Sequence, residues 1–190
     1  MIALARKTLV YEWRRFVPSV FAVGFSGVLL AMQAALVLGI FGSAALYVTA
    51  SGANLWVGYP GTQSVNFGRA IGADVEMRLR MEPGIASVEP YQWVDGDWRA
   101  QGAATEGGGV SIYLSGISTA PGALMFSRAL TGWQRERLRE TGAVIVDRAD
   151  LDTLGTHEGG TAWINGHRVR VAAVADGLRG LGGANVIASL

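Results

Sequence analysis

Val17-Pro-Ser-Val-Phe-Ala-Val-Gly-Phe-Ser-Gly-Val-Leu-Leu-Ala-Met-Gln-Ala-Ala-Leu-Val-Leu-Gly-Ile-Phe-Gly-Ser-Ala-Ala-Leu-Tyr-Val48 is apolar almost throughout, and no charged side chain occurs from Phe16 to Gly68. A bilayer core is about 30 Å thick and holds no water, so a helix crossing it needs about 20 apolar residues that satisfy their own backbone. The run exceeds that length and predicts one membrane span over residues 17–48, with everything after it on one side. At about 1.5 Å per residue such a helix outreaches the hydrocarbon, so the excess is expected to tilt or to project as a stalk. The competing reading is a signal peptide, whose apolar core is about 7–15 residues. This run is about twice as long, although Val48-Thr49-Ala50 offers a small-residue cleavage site.

The flank before the run sets the orientation. Arg6, Lys7, Arg14 and Arg15 face Glu12 alone, and basic residues beside a span stay in the cytoplasm. The N-terminus is therefore expected inside and the larger part outside, on the periplasmic or extracellular side. Ile2, Ala5, Leu9, Trp13 and Phe16 recur at helical spacing. They predict a short amphipathic segment over residues 1–16 lying on the inner leaflet. A plain basic flank is the alternative.

Within the run, Gly27, Ala31, Ala35, Gly39 and Ser43 recur every fourth residue. Small side chains in register let a second helix approach closely in lipid, where packing drives association. These five are the helix-packing candidates; the alternative is the ordinary abundance of Gly and Ala in spans. Gln33 is the one amide in the central part, placed to bond across to a neighbour or simply tolerated. No ionisable group is expected inside the membrane, so this helix alone offers no proton relay or ion path.

The remaining residues, 49–190, suffice for one modest domain among the 190. Net charge is +1, which argues against nucleic acid as a partner. The absence of cysteine excludes disulfides and thiolate metal sites. Asn54–Val57 reads as a brief strand. Arg69–Met81 reads as a helix with Ile71, Val75 and Leu79 on one face, stopped by Pro83-Gly84. Residues 85–100 read as strands around an Asp95-Gly96-Asp97 turn. Gly107–Gly109 reads as a loop. Val110, Ile112 and Leu114 alternate with polar neighbours as in a half-buried strand, Leu124–Glu140 reads as a second helix, and Ala143–Val146 as a buried strand. Asn165-Gly166 is the strongest hairpin signal, with Val169, Val171 and Ala173 expected on the core face of the following strand. The expected class is α+β: one N-terminal transmembrane helix, then a mixed domain with helices on one face of a sheet.

Chemistry is sparse. His157-Glu158 begins like a zinc-protease motif, but the second histidine, His167, comes too late for it. Gly180-Leu-Gly-Gly183 lacks dinucleotide spacing, and there is neither a P-loop nor a nucleophile elbow. Arg135–Glu140 reads as a solvated helix face, and Tyr91, Trp93 and Trp98 as strand aromatics more than as a binding patch. No catalytic, cofactor or metal residue is therefore assigned.

Three features together resemble the FtsX/MacB-type ABC transporter permeases, most of all DevC-like exporters. A basic start runs into a first span. Ala53-Asn-Leu-Trp-Val57 follows it. The tail then runs from Ala143-Val-Ile-Val-Asp147 through Leu154-Gly155 and the Asn165-Gly166 hairpin to Val169–Gly177 and Leu178–Leu190. The resemblance covers the whole chain and implies a MacB-like periplasmic core domain in a bacterial inner (plasma) membrane protein. It implies a permease subunit, not itself an enzyme, that couples ATP hydrolysis by a separate ATP-binding subunit to export or to periplasmic movement. ATP would sit on that partner and no cofactor in this chain. Other implied partners are the remaining permease spans or a second permease copy, a periplasmic adaptor, an outer-membrane channel and the lipid bilayer. Family members carry further spans after this domain, so the chain is expected to be a fragment, a truncated frame or a split subunit. The rival from another class is a membrane-anchored extracytoplasmic sensor or adhesion domain; an anchored hydrolase is the third.

Overall fold

The computed structural model describes residues 11–62, 68–102, 109–180 and 182–190. The chain divides into two compact units, Met1–Gly42 and Ser43–Leu190. The first is dominated by α1 (Trp13–Ala44), a 32-residue helix with no buried residue. By length and composition it can cross a membrane. It starts four residues earlier than the sequence boundary of 17 and ends four short of 48. Pro18 lies in its second turn, where it removes one backbone donor. Ser26 returns its hydroxyl to the Ala22 carbonyl at 2.9 Å, so this polar group is satisfied inside the helix. Residues 1–10 of the expected amphipathic segment lie outside the described residues.

The second unit is built on six strands: β1 (Gln92–Ala100), β2 (Val110–Ile117), β3 (Ala143–Asp147), β4 (Thr161–Ile164), β5 (His167–Ala175) and β6 (Ala184–Ser189). They close into a barrel in the order β1-β2-β6-β3-β5-β4. The β2–β6 and β3–β5 pairs are parallel and the others antiparallel. Every strand sends residues into one core: Trp98, Ile112, Val144, Val146, Ala162, Ile164, Val171, Val174, Ala184 and Val186 pack together with Leu154. Residues of alternate parity on β2, β3 and β6, with Ala173 and Ala175 of β5, face the other way. Ile117, Ile145 and Ile187 are examples, and they form a second core with Leu46, Tyr47, Ala50, Met125, Phe126, Leu130, Leu138 and Leu178. The mixed α+β class is as expected; the sheet is closed rather than open.

Short helices complete the unit: α2 (Leu46–Thr49), α3 (Ala73–Met81), α4 (Gly132–Arg137) and α5 (Leu151–Leu154). Several expectations are corrected. Asn54–Val57 pairs with no strand. Helix α3 starts at Ala73, so Ile71 lies outside it and is exposed, while Val75 and Leu79 are half-buried. Asp95-Gly96-Asp97 is no turn but the middle of β1. A Cβ on Gly96 would stand 3.1 Å from Ile112 and 3.3 Å from Ile164. The glycine is thus there for interior space and not for backbone reversal. The expected helix over 124–140 is mostly turns: Phe126 takes a positive φ of 53°, and a helix starts only at the Thr131 capping box with Gln134.

The Asn165-Gly166 hairpin is as expected, with φ of 49° and 83°. The face assignment of β5 holds only for its first part. Arg168 and Arg170 are exposed and Val171 is buried, but pairing slips opposite Val144/Ile145, where β3 partners jump from Val171 to Ala173. The extra residue, Ala172, rotates the strand, so Ala173 joins the outer core while Val171 stays in the barrel.

Candidate functional site

On α1, Gly27, Ala31, Ala35 and Gly39 are exposed and Ser43 is half-buried. Nothing stands within 4 Å of a Cβ placed on Gly27 or Gly39. Four residues of α-helix turn through roughly 400°, so successive members drift by about 40°. The five therefore trace a curved ridge rather than a straight stripe, the ridge used when two helices cross right-handed with small residues between them. Gln33 lies near the opposite side of the helix from the middle of that ridge. A single straight neighbour on the ridge would therefore not meet the amide.

The second unit carries polar chemistry that the sequence reading missed. The Asp147 carboxylate ends β3 and accepts from the amides of Ala149, Leu178 and Arg179, which ties the end of β3 to the segment before β6. Asp150 is 1% exposed and its carboxylate accepts no hydrogen bond from the described residues. Its companion is Arg179, with Nε 3.4 Å from Oδ1. Burial raises the Asp150 carboxyl above the usual range, Arg179 lowers it and Asp147 adds to the rise, with burial prevailing. Arg135, expected on a solvated face, is buried; it donates to the Ser118 carbonyl at 2.7 Å and the Met125 carbonyl at 2.6 Å. Glu89 accepts from the amides of Leu124 and Met125 on the same loop. Burial lowers the Arg135 guanidinium and Glu89 opposes the shift.

Aromatic residues collect on the outer face of β1 and β2. Trp93 donates its Nε1–H to the Tyr47 hydroxyl at 3.2 Å and lies 4.9 Å from Tyr113, centroid to centroid. Tyr47 contacts Tyr91 and Phe126, each at 6.2 Å. Tyr91 bonds Ser115 at 3.0 Å, and Ser115 donates to Asn185 Oδ1 at 2.8 Å, with both Ser115 and Asn185 buried. The Asn185 Nδ2 group has no partner among the described residues. Burial raises both the Tyr47 and Tyr91 phenols. Tyr91 and Trp93 are half-buried on this layer, whereas Trp98 lies in the barrel and donates to the Leu154 carbonyl at 2.9 Å. His157 sits on an exposed loop and His167 on the exposed start of β5. Among the described residues no cluster of His, Cys, Asp and Glu is grouped to hold a metal ion. These polar groups join strands to loops; the sequence showed only their alternation with apolar neighbours, which does not mark Ser115 or Asn185 as buried.

No family model matches the chain, and no curated protein matches it. Two solved structures are similar in part. One is the extracellular domain of the noncanonic ABC-type transporter YknZ from Gram-positive bacteria, at 17% identity and a TM-score of 0.42 over 63% of this chain and 62% of that one. The other is the periplasmic region of MacB from Actinobacillus actinomycetemcomitans, at 16% identity and a TM-score of 0.40 over 75% of this chain and 67% of that one. This chain thus spans less than two thirds of the YknZ domain. At these values neither likeness establishes a shared fold or activity.

Proposed function

We propose that the chain is a permease-type membrane component of an ABC exporter: α1 spans the inner membrane, its N-terminus is cytoplasmic and the barrel unit is periplasmic. The observation that carries this reading is a 32-residue apolar helix with no buried residue, followed by a folded α+β unit. The basic flank and the tail motifs noted in the sequence support it. ATP is hydrolysed on a separate subunit, and the small-residue ridge packs against the spans that subunit drives. The chain leaving α1 enters the outer core at once, through Leu46, Tyr47 and Ala50. Displacement of the helix would therefore pull on packed side chains rather than on a slack linker.

The test is affinity purification of the full chain from membranes of its own host, followed by ATPase assay. An ATP-binding subunit with a P-loop should co-purify, and Gly39→Leu should reduce the yield several-fold, because a branched side chain separates the backbones. Leu38→Ala, off the ridge, should not. Recovery without any P-loop protein overturns the permease reading and favours an anchored sensor or adhesion domain. Orientation has its own check, since the chain has no cysteine. A cysteine replacing Thr153 should react with an impermeant maleimide in intact cells, and one replacing Thr8 should not.

A further inference from the structure

Between the outer core and α3 the chain presents a group of exposed apolar side chains. Leu55 is 77% exposed, Val57 49%, Tyr59 43% and Trp56 37%. The segment is not a loose tail. Before it, the Gly52 amide donates to the Leu124 carbonyl at 2.8 Å and the Ala53 amide to Ser51 Oγ at 3.0 Å. In its middle, the Trp56 ring stands edge-on to Tyr91 with centroids 5.8 Å apart. After it, the Thr62 amide closes a turn onto the Tyr59 carbonyl at 3.0 Å. Leu55 and Val57 thus lie exposed on either side of a residue that packs on Tyr91, in a segment tied to the barrel unit at Gly52 and at Trp56. Isolated exposed apolar residues are ordinary, but a run of four large ones in five positions is not.

We infer that residues 55–59 seat in the outer leaflet of the bilayer, at the boundary between headgroups and acyl chains. The inference rests on the reading of α1 as a span. Charge and chain position select lipid over protein as the occupant. The charge-free stretch that begins at Phe16, after Arg14 and Arg15 in the first turn of α1, continues without a break through this segment to Gly68. The first charge after it, Arg69, has its guanidinium 5.7 Å from the Tyr59 ring centroid. An aromatic ring beside a cation is a pairing that suits a membrane interface. The segment also follows closely on the helix that would cross the same bilayer.

The test uses the full chain in phosphatidylcholine–phosphatidylglycerol vesicles, with single cysteines carrying a nitroxide at Leu30, Leu55, Val57 or Thr153. Molecular oxygen concentrates in lipid and a nickel chelate in water. The oxygen-to-nickel accessibility ratio at 55 and 57 should exceed that at 153 by about threefold or more and approach the ratio at 30. High nickel accessibility at 55 and 57 with a lipid signature at 30 overturns the inference and leaves the span reading intact. Labels at 55 and 57 shielded from both reagents mean that protein covers them, which also overturns it. A water signature at 30 overturns the span reading, and the inference with it.

Discussion

Helix α1 and strand β5 are both rich in Val and Ala, yet they do opposite things with them. In α1 no residue is buried. In β5 the last five residues, Val171–Ala175, are all buried, on both faces of the strand. The difference lies in what each element is given to pack against. A strand in a closed barrel has neighbours along both edges, an interior on one face and, here, a helical layer on the other. Its apolar side chains leave water because the same chain supplies their partners. A lone helix with apolar residues all round has no such partners within its unit, and that pattern belongs to a membrane span or to the interior of a larger assembly. The apolar content of the sequence thus measures two quantities: stability the barrel already holds, and affinity the helix has still to satisfy with lipid or other helices.

Val171→Asp should break the barrel side of this comparison most severely. Val171 is 0% exposed in the interior core, and a carboxylate there has no partner, so a loss on the order of 4 kcal/mol is expected. Arg170→Asp, one position away on the exposed side, forfeits only its ion pair with Glu140 at 3.1 Å and should change stability by less than about 1 kcal/mol. Thermal melting of the full chain in detergent, followed by near-ultraviolet circular dichroism of the aromatic residues, separates the two. If Arg170→Asp unfolds the barrel and Val171→Asp does not, the register of β5 is inverted.

Ile145→Ala and Leu30→Ala sharpen the contrast, because each removes a branched aliphatic side chain. Ile145 is 0% exposed in the outer core and should cost about 3 kcal/mol in the same melting experiment. Leu30 on α1 is 67% exposed and should leave the barrel transition where it is. A matching loss at Leu30 would mean that the helix is part of the barrel's cooperative unit, and the separation of the two would fail.

Legibility in the sequence followed the range of the interactions involved. The Asn165-Gly166 hairpin and the strand Ala143–Val146 could be read because a two-residue turn and a run of β-branched residues act locally. Asp95-Gly96-Asp97 could not, because its glycine answers to Ile112 and Ile164 on other strands. The β5 bulge at Ala172 was invisible for the same reason: it adjusts β5 to its parallel neighbour β3, which no local pattern records. Helical spacing misled at 124–140, where Met125, Phe126, Leu130, Arg135 and Leu138 are all buried but the backbone turns back at Phe126. The helix that carries the candidate packing residues on α1 was legible because its apolar run is long and unbroken. Ser115, Asn185 and Asp150 were not, since polar residues in strands and short turns ordinarily face water.

Gly166→Val tests the local part of that account. At φ of 83° a β-branched side chain clashes with its own backbone, so a cost of about 1–2 kcal/mol is expected even though no other atom stands within 4 Å of the added Cβ. Gly166→Asn should recover most of the loss, because asparagine tolerates the left-handed region. Equal melting temperatures for Gly166→Val and the parent chain would show that the turn is not held to this conformation.

Asp150→Asn should give the smallest effect, and its pH dependence carries the information. The folded state holds this carboxyl above the ordinary value of 3.8, chiefly through burial. A raised acid favours folding when protonated: that contribution is fully present below the unfolded value and is lost as pH climbs through the folded one. Above that window the folded chain keeps a carboxylate that is 1% exposed, lacks a hydrogen bond from the described residues and has Arg179 3.4 Å away. Asparagine removes the buried charge but also the attraction to Arg179. The two oppose, and because burial outweighs the ion pair at this site, the variant should be the more stable at pH 8, by on the order of 1 kcal/mol. That advantage should shrink toward zero as pH falls well below about 4, where the parent Asp150 becomes neutral in both states. Melting both proteins side by side across this range cancels the titration of every other group they share. A variant less stable than the parent at pH 8 would show that Arg179 outweighs burial, and that Asp150 holds the segment before β6 by charge rather than merely enduring its position.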